Sequence, residues 1–158
     1  MIDSMTINDW DQVCLIYLEG IRSGNSTFET EAQPWEEWDE DHLPFARLVM
    51  RDEELLLGWA ALSPVSKREV YRGVAEVAVY VTERARGRGI GRALLEALVT
   101  ESERNGIWTL QASIFPENTA SIEIHVRCGF REVGRRERIA MLKGVWRDTI
   151  LFERRRRD

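Results

Sequence analysis

The sequence predicts an α+β (broadly α/β) architecture: a central mixed, mostly antiparallel sheet of six to seven strands flanked by about four helices. Three observations carry this. Short alternating, β-branched runs follow one another in the middle and at the end of the chain, stretches with helical apolar periodicity stand before and between them, and tight turn residues separate the two kinds. With 158 residues the chain fits one domain with a sizeable core, read as residues 1–153 with a basic tail at 154–158.

In chain order, a short strand at Met1–Met5 precedes a helix in which Trp10, Val13, Cys14, Tyr17, Leu18 and Ile21 form one apolar stripe, with Asn8 or Asp9 as its cap. Gly24-Asn25-Ser26 ends that helix, Thr27–Gln33 is a loop, and Pro34 opens a short helix carrying Trp35 and Trp38. Arg47–Arg51 and Leu55–Ser63 form a hairpin across Asp52-Glu53-Glu54, and Gly73–Val81 adds a third strand. A Gly-rich loop then leads into a long helix with Ile90, Ala93, Leu94, Ala97 and Leu98, closed at Asn105-Gly106. Trp108–Ile114 is a strand, Pro116–Cys128 a loop and helix ended by Gly129, and Phe130–Leu142 with Val145–Phe152 a hairpin turning at Lys143-Gly144.

Composition excludes several classes. The chain is 44% apolar and 31% charged, which is globular and not disordered. A net charge of -5 opposes nucleic-acid binding, which needs a surface excess of Lys and Arg; Arg154–Arg157 reads as a solvated chain end. No apolar run approaches the ~20 residues of a membrane span, and the start lacks a basic-then-apolar leader, so a cytoplasmic protein away from membranes is expected. Cys14 and Cys128 each fall in a helical pattern, which speaks against a disulfide or a cysteine metal site, and no metal is expected.

The loop Arg86-Gly87-Arg88-Gly89-Ile90-Gly91-Arg92 is the most informative segment. Glycines allow close backbone approach, the helix that starts there presents unpaired N–H groups, and three arginines add charge, so the segment reads as an anion site. The alternative is a glycine-rich turn with solvated arginines. A P-loop would need Lys-Ser/Thr after its last glycine, where this chain has Arg92-Ala93, and the dinucleotide fingerprint would need G-x-G-x-x-G where this chain has G-x-G-x-G.

Arg86, Arg88, Gly89 and Gly91, following the strand end Val79-Tyr80-Val81, resemble the coenzyme-A pyrophosphate loop of the GNAT superfamily of N-acyltransferases, and the element order is similar along essentially the whole chain. Within the superfamily, Ser26 to Glu31, Tyr71 before Ala75-Glu76, Pro116-Glu117-Asn118, His125 and Gly144 to Asp148 resemble the phosphinothricin and methionine sulfoximine/sulfone acetyltransferase branch. The resemblance implies a GNAT-like fold, acetyl-CoA as cosubstrate and a homodimer. It implies that Val79, Tyr80, Val81, the run Arg86, Gly87, Arg88, Gly89, Ile90, Gly91, Arg92, and Asn118 bind the cofactor, with a splay between the third strand and Trp108–Ile114 admitting the pantetheine arm.

Acyl transfer to an amine needs a proton acceptor and a held carbonyl, but no covalent enzyme intermediate. Glu76 is a carboxylate in the otherwise apolar run Val74–Val79 and matches the family's catalytic Glu; the competing reading is a glutamate at the strand rim facing solvent. His125 stands where many relatives carry a thiolate-protonating tyrosine, and is either an imidazolium acid or a residue holding local helix structure. Asn118 caps its helix, contacts pantetheine, or does both. Cys128, beside Gly129, reads as a small buried residue more readily than as an acyl-cysteine.

An amino-acid acceptor calls for an arginine near the base, and Arg72, four residues before Glu76, is the first candidate, ahead of Lys67 and Arg68. Tyr71, Phe28, Glu29 and Trp146 would line the pocket if the branch resemblance holds; otherwise Phe28 and Trp146 are core residues. The expected activity is acetyl transfer from acetyl-CoA to the α-amine of a small amino-acid analogue. A polyamine, an aminoglycoside or a protein N-terminus is the alternative acceptor, and a coenzyme-A sensor without turnover the alternative function.

Overall fold

The computed structural model describes residues 1–157. It runs β1 (Ile2–Ser4), α1 (Trp10–Ser23), α2 (Trp35–Asp41), β2 (Leu48–Asp52), β3 (Leu55–Pro64), β4 (Val74–Val81), α3 (Ile90–Arg104), β5 (Thr109–Ile114), α4 (Thr119–Arg127), β6 (Arg131–Leu142) and β7 (Val145–Arg155), with 3-10 turns at Ile7–Asp9, Glu69–Tyr71 and Glu83–Ala85. The strands form one seven-stranded sheet ordered β1-β2-β3-β4-β5-β7-β6. It is mixed and mostly antiparallel, as the sequence predicts: β4 and β5 run parallel, and the other neighbours antiparallel.

The sheet divides the core in two because successive strand residues point to opposite faces. On one face Leu94, Leu95 and Leu98 of α3 pack against Leu62, Ala75, Leu110, Ala112 and Phe152, with Ile122 and Ile124 of α4 beside them. On the other, Val13 and Ile16 of α1 and Trp38 of α2 cover Val49, Trp59 and Ala61. That second layer lies over β2 to β4.

Two local expectations are corrected. Asp9 is the N-cap of α1 as expected, but its side chain makes no capping bond there; it accepts from the Thr6 N–H at 2.9 Å and from Arg51 at 2.7 and 3.0 Å. The Arg51 bonds hold its buried carboxyl below the usual carboxylate range. The last strand runs three residues past the expected Phe152, because Arg154 and Arg155 pair with Leu110 and Thr109 and the Arg154 guanidinium meets Glu103 at 2.8 Å. Two residues assigned to a basic tail therefore belong to the sheet, and Asp158 of that segment lies outside the described residues. Lys143 and Gly144 both take positive φ, 49° and 79°, the turn that matches the twist of a tight hairpin. Among the described residues no helix is long and apolar enough to cross a membrane.

Candidate active site

The parallel pairing of β4 and β5 is short: Val74, Ala75 and Glu76 register with Thr109, Leu110 and Gln111. Beyond it β4 stays paired with β3 out to Val81, while β5 turns to β7 through Ile114. The two strands thus part after Glu76, and the β5-facing backbone edge of Val77–Val81 is left without a strand partner.

The Gly-rich loop follows directly. Gly87 and Gly89 have φ of 78° and 77°, left-handed values that disfavour any Cβ, and a Cβ at either would face open space. Gly89 is the N-cap of α3, so the first N–H groups of a long helix point out of the loop. A Cβ on Gly91 would stand 3.2 Å from Ile124, so this glycine lets the first turn of α3 close against α4. Arg86 and Arg88 are exposed, whereas Arg92 is paired with Glu96 at 2.8 Å. Glu19 of α1 anchors the approach to the loop, accepting from the Thr82 hydroxyl at 3.1 Å and the Glu83 N–H at 2.8 Å. This concave run of outward N–H groups, bare glycines and exposed arginines has the donor chemistry a pyrophosphate requires.

At the point where the strands part, Gln111 Nε2 donates to Glu76 Oε1 at 3.1 Å. Glu76, Ala78 and Tyr80 share the sheet face covered by α1, by strand alternation. The Tyr80 ring stacks on Trp59 at 4.9 Å and meets Tyr17 edge-on at 5.1 Å. Burial pushes the phenols of Tyr17 and Tyr80 upward, partly offset by the Thr27 side chain, which bonds to both. The α1–α2 loop therefore lies over this end of β4. Phe28 of the same loop packs against Phe115 at 4.9 Å, and Glu29 is exposed with its N–H on the Thr27 hydroxyl. Asn118 caps α4 through the Ser121 N–H at 3.3 Å and donates its amide to Asn25 O at 3.1 Å.

Other expected site residues are elsewhere. His125 is buried on α4, with Nδ1 2.7 Å from Ser121 O and its ring edge-on to Phe130. Burial lowers its pKa, which disfavours the imidazolium form, and the ring is held within its own helix. Trp146 pairs with Met141 on the sheet face opposite Arg147, Gln111 and Glu76, and is half exposed, so within one chain it is neither core nor a neighbour of Glu76. Tyr71 and Arg72 lie on the turn ahead of β4: Arg68 covers the Tyr71 ring at 5.6 Å, and Arg72 sits 5.6 Å over Trp108 and 3.7 Å from Glu69. Burial raises the Cys128 thiol, which disfavours the thiolate an acyl-cysteine would need.

Residues 7–130 match the profile of the acetyltransferase (GNAT) family. The chain belongs to that family. This acetyltransferase is 32% identical to a phosphinothricin N-acetyltransferase of Alcaligenes faecalis over 93% of its own length and 78% of the relative's. It is 36% identical to an L-methionine sulfoximine/L-methionine sulfone acetyltransferase of Pseudomonas paraeruginosa over 62% of its length and 57% of the relative's. Its fold superposes on a GNAT phosphinothricin acetyltransferase of Sinorhizobium meliloti solved with AcCoA with a TM-score of 0.88 and 27% identity, covering 98% of this chain and 87% of that one.

Sequence reasoning missed Gln111, Thr27, Tyr17 and Arg147 as site residues. Gln111 was within reach of it: it is a polar residue of an alternating strand, but its meeting with Glu76 depends on an inter-strand register that the sequence does not print.

Proposed function

We propose that this acetyltransferase moves acetyl from acetyl-CoA to the α-amino group of a small amino-acid analogue of the phosphinothricin or methionine sulfoximine/sulfone type, by direct transfer with Glu76 as general base. The observation that carries the reading is the Glu76 carboxylate, oriented by Gln111, at the point where β4 and β5 part. The relatives named above support the acceptor class.

The thioester supplies an activated acyl group. Arg86–Arg92 and the start of α3 would hold the pyrophosphate, and the open edge of β4 at Val79–Val81 would hold the pantetheine arm and the acetyl carbonyl. Glu76 accepts the proton lost by the amine as the N–C bond forms and the C–S bond breaks. The departing thiolate, of ordinary pKa ~8.5, takes its proton from water and needs no enzyme acid. Phe28 and Glu29 wall the acceptor, and Arg72, exposed on the turn ahead of β4 and 3.7 Å from Glu69, is the cation proposed to meet its carboxylate. We read the protein as a cytoplasmic homodimer; the exposed Ile139, Met141 and Trp146 of the last hairpin offer an apolar face to a second copy.

Thiol release followed with DTNB over a panel of amines tests the activity. Phosphinothricin or methionine sulfone should accelerate it most. Acceleration by peptides or polyamines alone overturns the acceptor, and acetyl-CoA binding with no accelerating amine overturns turnover itself.

A further inference from the structure

We infer that Arg147 is a positioning residue: it latches the α1–α2 loop against the β5–α4 loop, and acceptor affinity depends on that latch. The inference rests on the reading of Phe28 and Glu29 as acceptor wall. Arg147 stands on β7 with a side chain only 14% exposed. Its Nη1 donates to Gly24 O at 2.9 Å and its Nη2 to Asn25 Oδ1 at 2.7 Å, with a longer contact from Nη2 to Glu117 Oε2 at 3.4 Å. The guanidinium also lies 4.1 Å over the Phe115 ring, which in turn holds Phe28.

Each partner adds a reason for an arginine there. Gly24 is the C-cap of α1, and its carbonyl stands at the negative end of the helix dipole. Asn25 is held from its other side by the Asn118 amide, so one cation joins the end of α1, the α4 cap and the last hairpin. A planar fork can donate in two directions while stacking on Phe115, which an ammonium cannot do. Between Gly24 and Pro34 the chain forms no regular element, and a loop of that length opens readily unless it is tied down. Arg147 ties the end that carries Phe28 and Glu29.

The test compares Arg147→Met and Arg147→Lys with the parent protein by steady-state kinetics and by hydrogen exchange. Arg147→Met should raise the acceptor KM about tenfold or more, with kcat and the acetyl-CoA KM changed less than about threefold. Exchange should quicken about tenfold at residues 24–33 and stay as in the parent in β3 and α3. Arg147→Lys should recover less than half of either effect. Equal losses in kcat and both KM values, with faster exchange throughout the sheet, would make Arg147 a plain stability residue; an unchanged acceptor KM with a protected loop would also overturn the latch. If the parent turns over no amine, the proposed activity fails, while the exchange measurement still decides whether Arg147 holds the loop.

Discussion

Gln111 Nε2 donates a 3.1 Å hydrogen bond to Glu76 Oε1 across the last rung of the β4–β5 pairing. A carboxylate on a strand that loses its neighbour one residue later has few groups left to fix it, and this amide does so. Gln111→Leu should lower kcat about tenfold with both KM values nearly unchanged, as expected for loss of one orienting hydrogen bond to a charged group. Gln111→Glu should cost more, because it sets a second carboxylate against the first. Thiol-release kinetics on the two variants give the comparison, and parent-like rates in Gln111→Glu would remove Gln111 from the site.

Glu76→Gln keeps the size of the side chain and removes its ability to take a proton. The expected loss in kcat is about 10²- to 10⁴-fold, the range for general-base catalysis. Binding of acetyl-CoA, followed by calorimetry, should be unchanged, since the proposed sites for the arm and the pyrophosphate lie on other residues. A variant that keeps parent turnover across the pH range would show that water or another group takes the proton.

The loop predicted at Arg86–Arg92 was legible because glycine spacing and a helix start are local properties: Gly87, Gly89 and the start of α3 are where the sequence puts them. Element order was legible for the same reason, through Pro34, Asn105-Gly106 and Lys143-Gly144. Contacts between distant strands were not. Glu76 with Gln111 and Arg147 with Asn25 join residues far apart in the chain, and only the sheet order brings them together. Trp146 shows how alternation sorts neighbours: within one chain it points to the sheet face opposite Glu76, and Arg147 beside it reaches the α1–α2 loop.

Gly89→Ala separates backbone strain from ligand approach. At φ 77° an added Cβ costs ~1 kcal/mol of left-handed strain, and it meets no atom of the protein. Gly106→Ala places the same strain, at φ 82°, past the end of α3 and equally in the open. Both variants should melt about 2–4 °C lower. Gly89→Ala alone should raise the acetyl-CoA KM, by about fivefold or more, because its methyl group would stand in the proposed approach of the pyrophosphate to the helix start. Equal acetyl-CoA KM values in the two variants would move the phosphate site off this loop.

Stability should fall on mild acidification, and the sign follows from burial. His42, stacked on Trp38 with Nδ1 2.6 Å from Trp38 O, and His125 both have pKa values lowered by desolvation from the ordinary 6.5. Above that value the rings are neutral whether folded or unfolded, so they add no pH dependence. Below it the unfolded chain takes up protons that the folded chain refuses, and stability is lost until pH passes the lower, folded values. The slope is at most about 1.4 kcal/mol per pH unit for each ring. Urea midpoints should therefore drop between pH 7 and 5, and His125→Gln, which removes one titrating ring, should flatten the curve. The same variant should keep kcat within about threefold at pH 8, since a pKa lowered by burial disfavours the imidazolium form there. A hundredfold loss in kcat with the folded state intact would return His125 to the chemistry.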